Sequence, residues 1–148
     1  MRFSKSYVIK KGVVLFLLLV LFCVFTVNFK IVIVNGHSME PTYKDKQFIL
    51  ASRKIREIEK DDIVVFSISD DENIIKRVVA QPGDVVSIKN NELYVNGCKL
   101  VRTKCYTNDT EIVIKENEYY VLGDNRLAST DSREFGAVKK SQIKYIIK

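Results

Sequence analysis

Residues 74–88 read IIKRVVAQPGDVVSI, two β-branched runs on either side of Pro82-Gly83. Valine and isoleucine are stiff at χ1 and favour extended backbone. Proline presets φ and glycine tolerates positive φ, so the dipeptide between the runs is a turn signal. The stretch predicts strands over Ile74–Ala80 and Val85–Ile88. Working outward, similar runs lie at Ile31–Val34, Gln47–Ala51 and Ile63–Ile68 before it, and at Leu93–Val95, Ile112–Ile114 and Tyr119–Leu122 after it. Asn90-Asn91 and Asn96-Gly97 between later runs are hairpin signals. Short strands at this spacing predict a mostly β chain folded as an antiparallel sandwich or barrel. The tail Ala137–Lys148 reads as a strand or as a short helix.

Upstream of the first strand the pattern changes completely. Val13–Val27, VVLFLLLVLFCVFTV, is 15 residues long and Thr26 is its only polar member. With Gly12, Asn28 and Phe29 the run reaches 18 residues, about 27 Å as a helix, close to the apolar thickness of a bilayer. A buried core helix would need a partner domain that a chain of 148 residues lacks. A cleaved leader would show a shorter apolar run and a small-x-small site, and Val27-Asn28-Phe29-Lys30 provides none. The expectation is a retained anchor over 13–30, preceded by a basic segment 1–12 and followed by one domain over 31–148. Lys10 and Lys11 abut the span, which places the N-terminus in the cytoplasm and the domain outside.

Charge supports this division. The formal net charge is +6, yet all 18 acidic residues lie at Glu40 or later. Five basic residues precede that point, leaving 19 basic against 18 acidic in the remainder. The domain is thus almost neutral, and no basic stripe able to neutralise several phosphates is present. A nucleic-acid partner is excluded on that ground. Cys23 falls in the span as an apolar filler. Cys98 and Cys105 fall in the outward domain, where oxidation is permitted, and could pair; spacing alone does not decide it. The only histidine, His37, stands apart from both, which argues against a metal site.

Three patches carry possible chemistry. The first is Asn35-Gly36-His37-Ser38-Met39-Glu40-Pro41-Thr42, just beyond the span. A serine there is ordinarily a turn or capping residue. The second is Ile74–Val79. Alternation puts Lys76 on the face of Ile74, Val78 and Ala80, opposite Ile75 and Arg77. A lysine on an apolar face is desolvated and its pKa falls; the same residue on an edge strand would be a guard against aggregation. The third is Gly123–Gly136, GDNRLASTDSREFG, a polar loop composition. Asp124, Asn125 and Asp131 admit a calcium-loop reading, against which stand the interleaved Arg126 and Arg133.

In this order, after a single anchor, the patches resemble the serine, lysine and C-terminal boxes of a type I signal peptidase of the Gram-positive kind. The resemblance covers most of the outward domain. It implies a membrane-anchored serine endopeptidase with Ser38 as nucleophile and Lys76 as general base, a Ser–Lys variant of triad logic. It implies that Ser129 orients the lysine and that Asp131 and Arg133 hold the site as an ion pair. The Ser38 N–H would serve the oxyanion. Gram-negative forms carry a serine hydroxyl at the place of Gly36, so the second donor is open here. Met39 and Ile75 would help line shallow pockets for small side chains. The substrate implied is an exported preprotein bound as an added strand and cut after a small-x-small site, with membrane lipid covering the cleft. No metal or organic cofactor is implied, and nothing bears on oligomeric state. Three rivals are a specialised factor for pilins or a few clients, with or without an assembly role; a self-cleaving repressor-type protease, which would carry a DNA-binding domain in place of the span; and a non-catalytic tethered module, against which the intact Ser38, Lys76, Ser129, Asp131 and Arg133 stand.

Overall fold

The computed structural model describes residues 5–55, 57–68, 72–100 and 109–147. Helix α1 (Lys5–Asn28) is 24 residues long, about 36 Å at the usual rise. Within it Lys10–Asn28 is long and apolar enough to cross a membrane, and the protein buries none of that window. A helix with no polar face and no protein cover needs an apolar solvent, which removes the core-helix alternative. No linker follows: β1 (Phe29–Ile33) begins at the next residue. Phe25 stacks on Phe29 with ring centroids 5.2 Å apart, and Arg53 N–H donates to the Asn28 carbonyl at 2.8 Å.

The remainder is antiparallel β. The further strands are β2 (Phe48–Ser52), β3 (Ile63–Phe66), β4 (Ile74–Ala80), β5 (Val85–Lys89), β6 (Glu92–Val95), β7 (Cys98–Lys99), β8 (Thr110–Val113), β9 (Glu118–Leu122), β10 (Val138–Lys139) and β11 (Ile143–Ile147). A short helix α2 (Ser132–Phe135) and a 3₁₀ turn at Lys140–Gln142 interrupt them. The larger sheet runs β1-β2-β11-β3-β4-β9-β10 and the smaller β7-β6-β5-β8. The ambiguous tail is thus two strands and a 3₁₀ turn. Its last strand inserts between β2 and β3, where Ile146 and Ile147 are buried.

The turn chemistry falls where the sequence places it. Asn90-Asn91 (φ 53° and 62°) and Asn96-Gly97 (φ 50° and 77°) both close two-residue hairpins, the left-handed pair such loops require. Pro82-Gly83 does not close a hairpin. Asp84 N–H donates to the Gln81 carbonyl at 3.0 Å and Gly83 has φ +89°, and the chain passes from the large sheet into the small one. Three apolar clusters result. Val64, Phe66, Val78, Val121 and Ile143 occupy one face of the large sheet. Val34, Met39, Ile49, Val65 and Ile75 belong to a second cluster, and Ala80, Val86, Leu93, Tyr120 and Leu122 join the two sheets. Strand β3 is buried on both faces, as its uninterrupted β-branched run requires. The Cys98–Cys105 pairing falls on Cys105, which lies outside the described residues.

Candidate active site

Strand β4 is central, between β3 and β9, so Lys76 is not an edge guard. Its register partner on β3 is Val64, fully buried, and Ile74 and Val78 pack in the same cluster as Val64. The side chain is 4% exposed. Burial lowers the pKa of its ammonium from the usual 10.5; the charges of Asp131 and Glu72 oppose the shift without cancelling it.

Ser38 stands in the turn that follows β1. Its Oγ lies 2.9 Å from Lys76 Nζ across 38 residues of sequence. The serine carbonyl is held as well, accepting the Asn125 N–H at 2.9 Å. His37 turns away: its Nδ1 lies 2.9 Å from Glu40 Oε1, both side chains exposed. The basic side chain in hydrogen-bond contact with the serine hydroxyl is therefore Lys76.

The third patch wraps over this pair. Asp131 is fully buried and caps α2. Arg133 forks onto it, Nε to Oδ1 at 2.7 Å and Nη2 to Oδ2 at 2.8 Å. The same guanidinium donates to the carbonyls of Arg126 at 2.8 Å and Ser129 at 3.2 Å, and Asp131 Oδ2 accepts the Gly123 N–H at 3.0 Å. One bidentate pair thus clamps both ends of the 123–133 loop. A second fork, absent from the sequence reading, joins Arg77 Nε and Nη2 to Asp124 at 2.8 and 2.7 Å. Burial pushes the Asp124 carboxyl up, but the Arg77 hydrogen bond and charge outweigh it and hold the group below its usual range. Both carboxylates of the would-be calcium loop are engaged by arginines, and no metal-holding cluster occurs among the described residues.

Gly123, which in the sequence only marks one end of the polar loop, has a steric role here. A methyl group on it would collide with the Ser129 hydroxyl and come within 2.6 Å of the Ser38 carbonyl oxygen. Only glycine lets the loop close this tightly on the serine. Ser129 departs from the expectation. Its Oγ is buried without a hydrogen-bond partner, so the bond to the lysine is not formed in this arrangement. On the second oxyanion donor, which the sequence leaves open, the Gly36 N–H is already engaged: it donates to Asp45 Oδ1 at 2.7 Å.

A cleft of about 910 Å³ opens beside the pair, lined along one side by β1 and along the other by Ile74, Ile75 and Lys76. Met39 (1% exposed) and Ile75 (8%) belong to both its lining and the core. They can shape its floor but cannot swing freely.

Residues 6–145 match the family model described as signal peptidase, peptidase S26. Signal peptidase IB of Staphylococcus aureus strain COL is 35% identical over 135 residues, covering 74% of this chain and 71% of the relative. Signal peptidase I S of Bacillus subtilis strain 168 is 32% identical over 130 residues, covering 75% and 70%. The crystal structure of a signal peptidase I from Enterococcus faecalis V583 superposes with a TM-score of 0.50 at 29% identity, over 64% of this chain and all of that one. With a match that runs almost from end to end, the chain belongs to the signal peptidase family, peptidase S26.

Proposed function

We propose that this membrane-anchored serine endopeptidase removes signal peptides from exported preproteins by a Ser38–Lys76 dyad. The observation that carries the reading is the 2.9 Å contact between Lys76 Nζ and Ser38 Oγ, with the amine buried. A serine hydroxyl attacks a peptide carbonyl only as its proton leaves. A solvated lysine, protonated at neutral pH, cannot accept that proton; a buried one can. In the first step Oγ bonds to the scissile carbonyl carbon and Lys76 takes the hydroxyl proton. The oxyanion sits against the Ser38 N–H. Lys76 then passes the proton to the departing amine, and the C–N bond breaks. Water, giving its proton to the same lysine, attacks the acyl-serine. The peptide acid is released and the serine hydroxyl is restored.

Ser129 orients the amine in this scheme, which would give its buried, unpaired hydroxyl a partner. Asp131 and Arg133 keep the loop over the dyad. Strand β1 is at the edge of the large sheet and its flank borders the cleft, so an extended substrate can add alongside it. Met39 and Ile75 narrow the floor and favour small side chains.

The domain, residues 31–148, faces outward from a helix whose basic end is cytoplasmic. Ile31 (59% exposed) pairs with Leu50, and Ile33 with Phe48 (69%). These four make an apolar face that starts where α1 ends, and lipid covers it.

The test is cleavage of a purified preprotein by the full-length protein in detergent. Ser38→Ala and Lys76→Ala are each expected to lower kcat by more than about 10³-fold. Substantial activity in Lys76→Ala would show that another group is the base.

A further inference from the structure

We infer that Asp45 is a positioning residue for the nucleophile: it fixes the peptide entering the Gly36–Ser38 turn and thereby aims the Ser38 N–H at the oxyanion. The inference rests on Ser38 being the nucleophile, as proposed above.

Gly36 has φ +86°, and the space where a Cβ would sit is empty to 4 Å. Glycine is needed there for its backbone conformation, not for room. The same freedom means that packing does not hold this peptide in place. A specific bond does so instead. Asp45 Oδ1 accepts the Gly36 N–H at 2.7 Å, the short distance of a charge-assisted bond. That N–H, more than any other cause, holds the Asp45 carboxyl below its usual range.

Asp45 is itself held from both sides. The loop that carries it is closed at its base, Lys46 N–H donating to the Val34 carbonyl at 2.8 Å and Val34 N–H to the Gln47 carbonyl at 2.9 Å. Lys46 Nζ adds a bond to Asn35 Oδ1 at 2.9 Å. Downstream, Ser38 is fixed by the Asn125 N–H on its carbonyl and by Lys76 at its hydroxyl. Between them the His37 carbonyl accepts the Glu40 N–H at 3.2 Å, a longer bond that ties this peptide to residues after the serine, and the His37 ring faces Glu40 as well. The upstream anchor of the serine is therefore the Asp45–Gly36 bond. Because that bond occupies the Gly36 N–H, Gly36 contributes conformation and not a second oxyanion donor.

The experiment compares Asp45→Ala and Asp45→Asn with wild type, full length in detergent, by steady-state kcat and KM on a preprotein. Asparagine keeps an oxygen acceptor and alanine does not. Asp45→Ala is expected to lose about tenfold or more in kcat, with KM within about threefold. Asp45→Asn should return to within about threefold of wild type. The pH at which activity rises should not move in Asp45→Ala, since Asp45 is not among the groups that bear on Lys76. Wild-type kcat in Asp45→Ala, a loss confined to KM, or equal impairment of both variants would each overturn the inference. If Asp45→Ala does not fold, Gly36 amide exchange in the wild-type chain decides: slow exchange supports the bond, and exchange at the free-peptide rate refutes it. A Ser38→Ala control separates the two readings. Residual cleavage there sinks the nucleophile assignment, whereas an inactive Ser38→Ala beside an unimpaired Asp45→Ala sinks only the role of Asp45.

Discussion

Lys76 is where stability and function pull apart at the scale of single residues. Burial lowers its pKa from the ordinary 10.5. Between the folded value and 10.5 the unfolded chain binds more protons than the folded one, so stability rises with pH across that interval. Lys76→Met, which removes the buried charge, is expected to melt above wild type at pH 7, the gap narrowing toward pH 10.5 in thermal scans. Activity follows the neutral amine and should climb with pH through the same lowered pKa. Glu72, which lines the cleft and whose charge raises the lysine pKa, supplies the check. Glu72→Gln should move the rise in kcat/KM to lower pH, and an unmoved profile would contradict the assignment of the base. Gly123→Ala sets a methyl against the Ser129 hydroxyl and the Ser38 carbonyl. It is expected to cost about 1–3 kcal/mol in denaturant unfolding and most of the activity.

At the scale of elements, the 123–133 loop and the turn between the sheets depend on buried charge. Asp131→Ala would remove the buried carboxylate that both arms of the Arg133 fork grip, the arginine side chain being 9% exposed. Breaking such a pair costs about 3–5 kcal/mol, visible as a lower unfolding midpoint. The Pro82-Gly83 turn is braced by Asp84, which accepts the Gln81 N–H at 2.9 Å and the Asn96 amide at 2.7 Å and meets Lys60 at 3.1 Å. Desolvation alone would raise this carboxyl, but its three partners win and lower it. The stabilisation is therefore present above the ordinary carboxylate pKa and lost as pH falls through the lowered one. Element identity was legible from short range: Ile74–Ala80 falls as expected and the other seven predicted strands shift by only a residue or two at their ends, because β-branched runs and Asn-Gly turns are local signals. The two-residue β7 and β10 carry too little pattern to read, and they exist through their pairing with β6 and β9.

At the scale of the whole molecule, the apolar face of Ile31, Ile33, Phe48 and Leu50 continues from the end of α1. Placing charge there with Phe48→Asp and Leu50→Asp should spare cleavage of a short soluble peptide, within about twofold. Processing of a preprotein in proteoliposomes should fall by tenfold or more, since each buried aromatic or leucine contributes about 1.5–3 kcal/mol to apolar contact. Equal losses in both assays would place the effect in the fold and not at the lipid surface.

By itself the amino-acid order determined the apolar span, the run of short strands, the turn residues and the apolar strand face that carries Lys76, each of which rests on composition or on spacing within a few residues. The roles of Ser38, Ser129 and the Asp131–Arg133 pair came instead from the likeness of three ordered patches to a family. Only the tertiary structure decided that β11 enters the middle of the sheet, that Lys76 lies on a central strand against Val64, and that Arg77 reaches Asp124. It alone showed that Asp45 takes the Gly36 N–H and that Gly123 must lack a side chain. Those facts join residues brought together by strand pairing and loop closure, and local propensity carries no record of which distant partner a backbone group will meet.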